Sequence, residues 1–120
     1  MVTRLEMVIG MYSYLSGRKG NYDSKKVNLF FYKNRFKLSQ FEELEFDWDR
    51  EYPICREITE IHSALIIGGF HTIISPTLEI AITSLCKQRF DKSIKPNLTP
   101  KESKTLEELA TELSSSLSLS

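Results

Sequence analysis

Apolar residues recur along this chain in two periods, one helical and one alternating. Behind Thr3-Arg4-Leu5-Glu6, the residues Leu5, Val8, Ile9, Tyr12 and Leu15 follow helical spacing. The leading tetrad has capping-box spacing, in which each side chain satisfies a backbone N–H at the helix start. A helix is predicted from Arg4 to Ser16, stopped at Gly17, where left-handed backbone is accessible. Val8, Ile9, Tyr12 and Tyr14 also suit a strand, which is the alternative for residues 4–16. Met7, Met11 and Tyr14 add a second apolar stripe, so this element is expected to be covered on two sides.

After a Gly/Asn/Asp/Lys-rich loop over 18–26, the period shifts to two. Val27, Leu29 and Phe31 alternate, Lys33-Asn34 suits a turn, and Phe36 and Leu38 resume the alternation. Leu44, Phe46 and Trp48 alternate with Glu43, Glu45 and Asp47, which reads as a third strand. A meander results, with Leu29, Phe31, Phe36, Leu38, Phe46 and Trp48 on its apolar face. On the other face, Arg35 and Lys37 would lie opposite the acids.

Helical spacing returns after Pro53, at Ile54, Ile58, Ile61 and Leu65, and ends at Gly68-Gly69. Residues 70–74 fit a short fourth strand or none. Ser75-Pro76 is read as opening another helix through Leu78, Ala81, Ile82 and Leu85, followed by a loop from Asp91 to Leu98. Thr99-Pro100-Lys101-Glu102 repeats the capping-box spacing before a helix striped by Leu106, Leu109, Ala110 and Leu113. The expected architecture is a single α+β domain over 1–113. It has an N-terminal helix, a three-stranded antiparallel meander, and two or three C-terminal helices packed on the sheet. Residues 114–120, serine and leucine only, are expected to form a flexible tail.

Length and composition agree with a domain of this kind. The chain has 120 residues, 41% hydrophobic and 27% charged, enough for a core without staples. The net charge is zero, but its layout is uneven. Residues 1–38 carry eight Lys/Arg against two Asp/Glu, and residues 39–63 carry two against eight. The zero balance argues against a general coat for nucleic acid or anionic membranes. No apolar run approaches the ~20 residues of a membrane helix. The N-terminal region lacks the pattern of a signal peptide. An intracellular, cytoplasmic location with two free thiols, Cys55 and Cys86, is the expectation.

Candidate chemistry is sparse. Cys55, His62, His71 and Cys86 match no zinc spacing, and Cys55 and His62 would lie ~10 Å apart along one helix. The acids Glu42, Glu43, Glu45, Asp47 and Asp49 are split between faces by strand alternation. Cys55 near a helix start is the one candidate nucleophile, without a base in reach on its own helix. Phosphate-loop and serine-elbow motifs are absent. No metal, no cofactor and no enzymatic activity are therefore expected.

The remaining reading is a small non-enzymatic protein-interaction module, of the inhibitor, immunity, adaptor or assembly-subunit kind, acting on a partner protein or by self-association. Its candidate anchors are Tyr14, Tyr22, Tyr32, Phe46, Trp48 and Tyr52, of the residue types enriched at interfaces. The acidic segment from Glu42 to Glu51, with Phe46 and Trp48 embedded, suits a basic partner. The alternative is nucleic-acid binding by the basic and aromatic face of residues 18–37, through Arg18, Lys19, Lys25, Lys26, Lys33, Arg35 and Lys37.

Overall fold

The computed structural model describes residues 1–48 and 51–120. Helix α1 (Arg4–Ser13) begins with the predicted capping box, Thr3 and Glu6 each accepting from the other's backbone N–H. Met7, Val8, Ile9, Met11 and Tyr12 are all buried, so α1 is covered on both stripes, as its sequence suggested. Gly10 makes this possible. A Cβ there would lie 3.0 Å from the Phe90 ring and 3.1 Å from Leu106. Gly17 takes the expected left-handed φ of 89°.

The α+β class, the N-terminal helix, a three-stranded antiparallel sheet and the C-terminal helices are all present. The strands come from other residues than the meander reading proposed. Residues 24–34 form helix α2 (Ser24–Asn34), capped by the Asp23 carboxylate accepting from Lys26 N–H at 3.2 Å. Val27, Phe30 and Phe31 fall at i, i+3 and i+4 and are buried, whereas Leu29 is half-buried. The adjacent Phe30-Phe31 pair satisfies either period; the Asp23 cap favours the helix, and packing of α2 on α6 buries its apolar side. A one-turn helix, α3 (Ser39–Glu42), follows, with Phe41 buried. Of the expected third strand, only Asp47 pairs, through a single antiparallel bridge to Ile54. The expected apolar face is divided. Phe31 and Leu38 are buried, Phe46 is half-buried, and Phe36 and Trp48 are 69% and 52% exposed.

Helix α4 (Arg56–Ile67) starts three residues after Pro53, with Cys55 as its N-cap residue, and buries Ile58, Ile61, His62 and Leu65. The ambiguous 70–74 stretch is a strand, β2 (His71–Ile74). It pairs antiparallel with β3 (Glu79–Ile82), in register His71 to Ile82 and Ile74 to Glu79. The helix expected from Ser75-Pro76 is thus corrected. Residues 75–78 turn, with a cis Ser75–Pro76 bond, and Ile80 and Ile82 point inward at a period of two. Leu78, Ala81, Ile82 and Leu85 also fit the helical period, which hid the strand. A two-residue strand, β1 (Lys19–Gly20), completes the sheet in the order β1-β3-β2.

Thr83 caps the short helix α5 (Ser84–Arg89). The expected loop over 91–98 is mostly helical, with a π turn over Phe90–Ile94 and a 3-10 turn over Lys95–Asn97. Helix α6 (Pro100–Leu117) carries the second predicted capping box and buries Leu106, Leu109, Ala110 and Leu113. It runs four residues beyond Leu113. The last residues are tied down rather than frayed. Leu117 is buried, and the Lys19 and Ser120 backbones exchange two hydrogen bonds of 2.9 Å. α1 lies at the centre of the core, packed by α3, α4, α5, the π turn and α6. Among the described residues, no helix is long and apolar enough to cross a membrane.

Candidate protein-binding groove

The segment after α3 is anchored by buried Leu44 and held by two backbone hydrogen bonds of 2.9 Å between Asp47 and Ile54. Phe46 is half-buried against the core, and Trp48 is exposed. Both lie edge-on to Tyr32 of α2, with ring centroids 5.3 and 5.2 Å away. The Arg35 guanidinium covers the same ring at 3.9 Å and reaches Phe36 at 4.5 Å. Cation–π contacts of this kind contribute ~0.5–1 kcal/mol when exposed. The Lys25 ammonium lies 5.8 Å over Tyr52.

Beside this cluster is an open groove of about 920 Å³, walled by Arg4, by Glu43 and Glu45 to Trp48, and by Ile54 and the start of α4. Five carboxylates line it, from Glu43, Glu45, Asp47, Glu57 and Glu60, against Arg4 and Arg56. Both arginines are engaged. Arg4 pairs with Glu57 and donates to the Gln40 carbonyl at 2.9 Å, and Arg56 pairs with Glu60 at 3.1 Å. Glu43 and Glu45 are exposed and form no ion pair among the described residues. The groove therefore carries excess negative charge next to apolar Phe46, Trp48 and Ile54.

Of the six predicted anchors, the structure brings Tyr32, Phe46 and Trp48 into contact, and Tyr52 meets the first turn of α2. Tyr14 packs on Phe90 at 5.5 Å and donates to the Ser103 carbonyl. Tyr22 lies in a separate aromatic and histidine cluster. The basic residues do not form one platform. Arg18 donates to Ser114 Oγ at 2.8 Å, and Lys19 is exposed on β1, where its backbone pairs with Ser120. Lys25, Lys26 and Lys33 are exposed on α2, Arg35 is stacked on rings, and Lys37 lies 4.0 Å from Glu112. The predicted pairing of Arg35 and Lys37 with Glu43, Glu45 or Asp47 is corrected, because no strand pair holds these residues together.

The candidate nucleophile is buried. Cys55 is 1% exposed, and burial raises its thiol above the usual range, which favours the protonated form. Burial pushes the Cys86 thiol up to about 12. No three His, Cys, Asp or Glu side chains converge as a metal cluster among the described residues, and Asp49 lies outside them.

Sequence reasoning missed a buried polar cluster. Tyr12, His62 and His71 converge beneath the sheet, with His71 edge-on to Tyr12 at 4.4 Å and the imidazole centroids 6.1 Å apart. The signal available was the position of His62, four residues after Ile58 and three before Leu65 on the inward stripe of α4. Burial lowers His62 to about 4. Burial, followed by the neighbouring His62, lowers His71 to about 3, so both are neutral near pH 7. No family model, curated protein or solved structure matches this chain.

Proposed function

We propose that this protein is a small non-enzymatic interaction module whose groove, rimmed by Trp48, docks a basic segment of a partner protein. The observation that carries this reading is the half-exposed Trp48, edge-on to Tyr32, which also meets Phe46, beside Glu43 and Glu45, which form no ion pair among the described residues. Aromatic anchors next to complementary charge are what a binding hot spot uses: apolar area for affinity, charge for orientation and encounter. An arginine-rich segment would supply both a positive charge and a flat face to lie on the rings. A cytoplasmic setting fits the two unpaired, buried thiols and belongs to this proposal.

Nucleic-acid binding through residues 18–37 has less support. Arg18, Arg35 and Lys37 already have protein partners, and the aromatic rings near Arg35 sit beside the acidic groove. The deciding experiment uses the chain's single tryptophan as a fluorophore. Titration with an arginine-rich peptide should give a saturable change in Trp48 emission, while a glutamate-rich peptide and a mixed-sequence oligonucleotide should not. Tighter binding to the oligonucleotide than to the basic peptide at physiological salt would overturn the proposal.

A further inference from the structure

The two edges of the sheet are finished differently. At the β1 edge, the N–H and C=O of Lys19 both pair with the Ser120 backbone, at 2.9 Å each. The β2 edge has no such cover among the described residues. The alternation of the ladder shows which groups are left over there. Ile82 donates to the Arg18 carbonyl at 2.9 Å and accepts from the Gly17 N–H at 2.7 Å, so the backbones of Ile82 and Ile80 face β1. Those of Ala81 and Glu79 then face β2, opposite Thr72 and Ile74. The N–H and C=O of the intervening Ile73 point away from β3, and they make no hydrogen bond among the described residues. Ile73 is 51% exposed and Thr72 is exposed, so the middle of β2 lies at the surface. Natural edge strands are usually blunted by Lys, Pro, a bulge or a covering segment. His71-Thr72-Ile73-Ile74 contains no Lys or Pro, and its register with β3 is unbroken.

We propose that β2 pairs antiparallel with β2 of a second copy of this chain, about a two-fold axis at Ile73. An open edge takes an extended backbone, and an identical edge fits this one in both hydrogen bonding and polarity. In this register the Ile73 N–H of each copy donates to the Ile73 carbonyl of the other, and Thr72 lies opposite Ile74. No like charges face each other across the pair. Ile66 and Leu78, which line one cavity with Ile73, are 40% and 70% exposed, and that cavity has no Lys, Arg, Asp or Glu in its wall. Pairing therefore brings uncharged apolar side chains of the two copies together, and the net charge of zero adds no repulsion. A basic or acidic partner finds no counter-charge here. The edge shares no residue with the Trp48 groove, so the pairing does not rest on the groove's function. Four residues of strand give a small interface, of the weak and reversible class.

The test is sedimentation velocity of the full chain from ~10 to ~500 μM, the range in which weak pairing is populated, with amide hydrogen exchange at both ends of the range. The sedimentation coefficient should rise from monomer toward dimer, and exchange of the Ile73 amide should slow with concentration. Ile73→Lys sets two charges side by side at the axis, and Ile73→Pro removes the donor. Each should weaken dimerisation at least tenfold and leave the monomer folded by circular dichroism. If Ile73→Pro does not fold, Ile73→Lys still decides, because its side chain is half exposed. Trp48→Ala should leave the dimer unchanged, which separates this edge from the groove. A monomer throughout the range, an Ile73 amide whose exchange ignores concentration, or a dimer undiminished by Ile73→Lys would each overturn the proposal.

Discussion

The Tyr12 hydroxyl donates to His62 Nε2 at 2.7 Å inside the core, and the Ile58 carbonyl on the other ring nitrogen fixes that direction. His62 Nδ1 lies 2.8 Å from the Ile58 carbonyl, which can only accept, so Nδ1 carries the proton. Nε2 is then the acceptor, and Tyr12 must be its donor. Tyr12→Phe keeps the ring and removes that donor, leaving a buried acceptor unpaired. The expected loss is ~1–3 kcal/mol, read from the shift in urea midpoint at constant slope. A midpoint unchanged within error would mean that this bond contributes nothing to stability.

The two histidines also make stability depend on pH. Their folded values, about 4 for His62 and about 3 for His71, are below the ordinary value of 6.5. Between those limits the unfolded chain binds protons that the folded chain does not. The stability tied to the neutral rings is therefore full above pH ~6.5 and is lost as pH falls from there toward 4 and 3. The slope approaches ~1.4 kcal/mol per pH unit for each histidine. Denaturation series between pH 7.5 and 5 avoid most carboxylate titration and should show this fall. His71→Phe should remove about half of the slope.

Two phenylalanines separate the observed fold from the meander reading. Phe31 is fully buried in α2, where it packs against Phe30 and Phe41 at 5.2 and 5.3 Å. Phe36, assigned to the same apolar face by alternation, is 69% exposed. Phe31→Ala should cost ~3–5 kcal/mol, as large-to-small core changes do. Phe36→Ala should stay within ~0.5 kcal/mol, as a surface change. Comparable losses from the two substitutions would restore the strand reading.

Capping signals proved the most legible feature of the sequence. Thr3–Glu6 and Thr99–Glu102 both form the boxes their spacing implied, because the interaction is local and needs no tertiary partner. Period was less decisive. Val27, Phe30 and Phe31 fit a helix, while Val27, Leu29 and Phe31 fit a strand, and tertiary packing on α6 chose between them. In the candidate groove, Tyr32, Phe46 and Trp48 were recognisable as anchors by residue type. Their contact was not, because it depends on α2 being a helix and on the Asp47–Ile54 bridge turning the chain back. The uncovered edge of β2 is a property of the hairpin's place in the sheet, which no local pattern encodes.

The C-terminal residues offer a further stability test. Leu117 is 5% exposed, and the Ser120 backbone pairs with Lys19 beside the short strand β1. Leu117→Ala should cost at least ~2 kcal/mol. Deletion of residues 117–120 should cost more, since it also removes both backbone bonds. Thermal melts of the two variants against the parent chain give the ranking. A deletion that leaves the melting temperature unchanged would restore a frayed tail.

The last prediction separates binding from folding in the groove. Trp48 is half exposed and lies edge-on to Tyr32, so Trp48→Ala removes contact area from the rim and little from the core. Its effect on stability should be under ~1 kcal/mol, while its effect on partner affinity should reach the ~2 kcal/mol of a hot spot. Glu43 and Glu45 are exposed and outside any ion pair among the described residues, so reversing both to lysine should leave the fold intact. The double reversal should slow association with a basic peptide and remove most of its salt dependence, because long-range attraction is the part that salt screens. Stopped-flow mixing at two ionic strengths measures this directly, with fluorophore-labelled peptide for the Trp48 variant. Unchanged association rates in the double reversal, with the Trp48 loss intact, would leave an aromatic binding site with no preference for a basic partner.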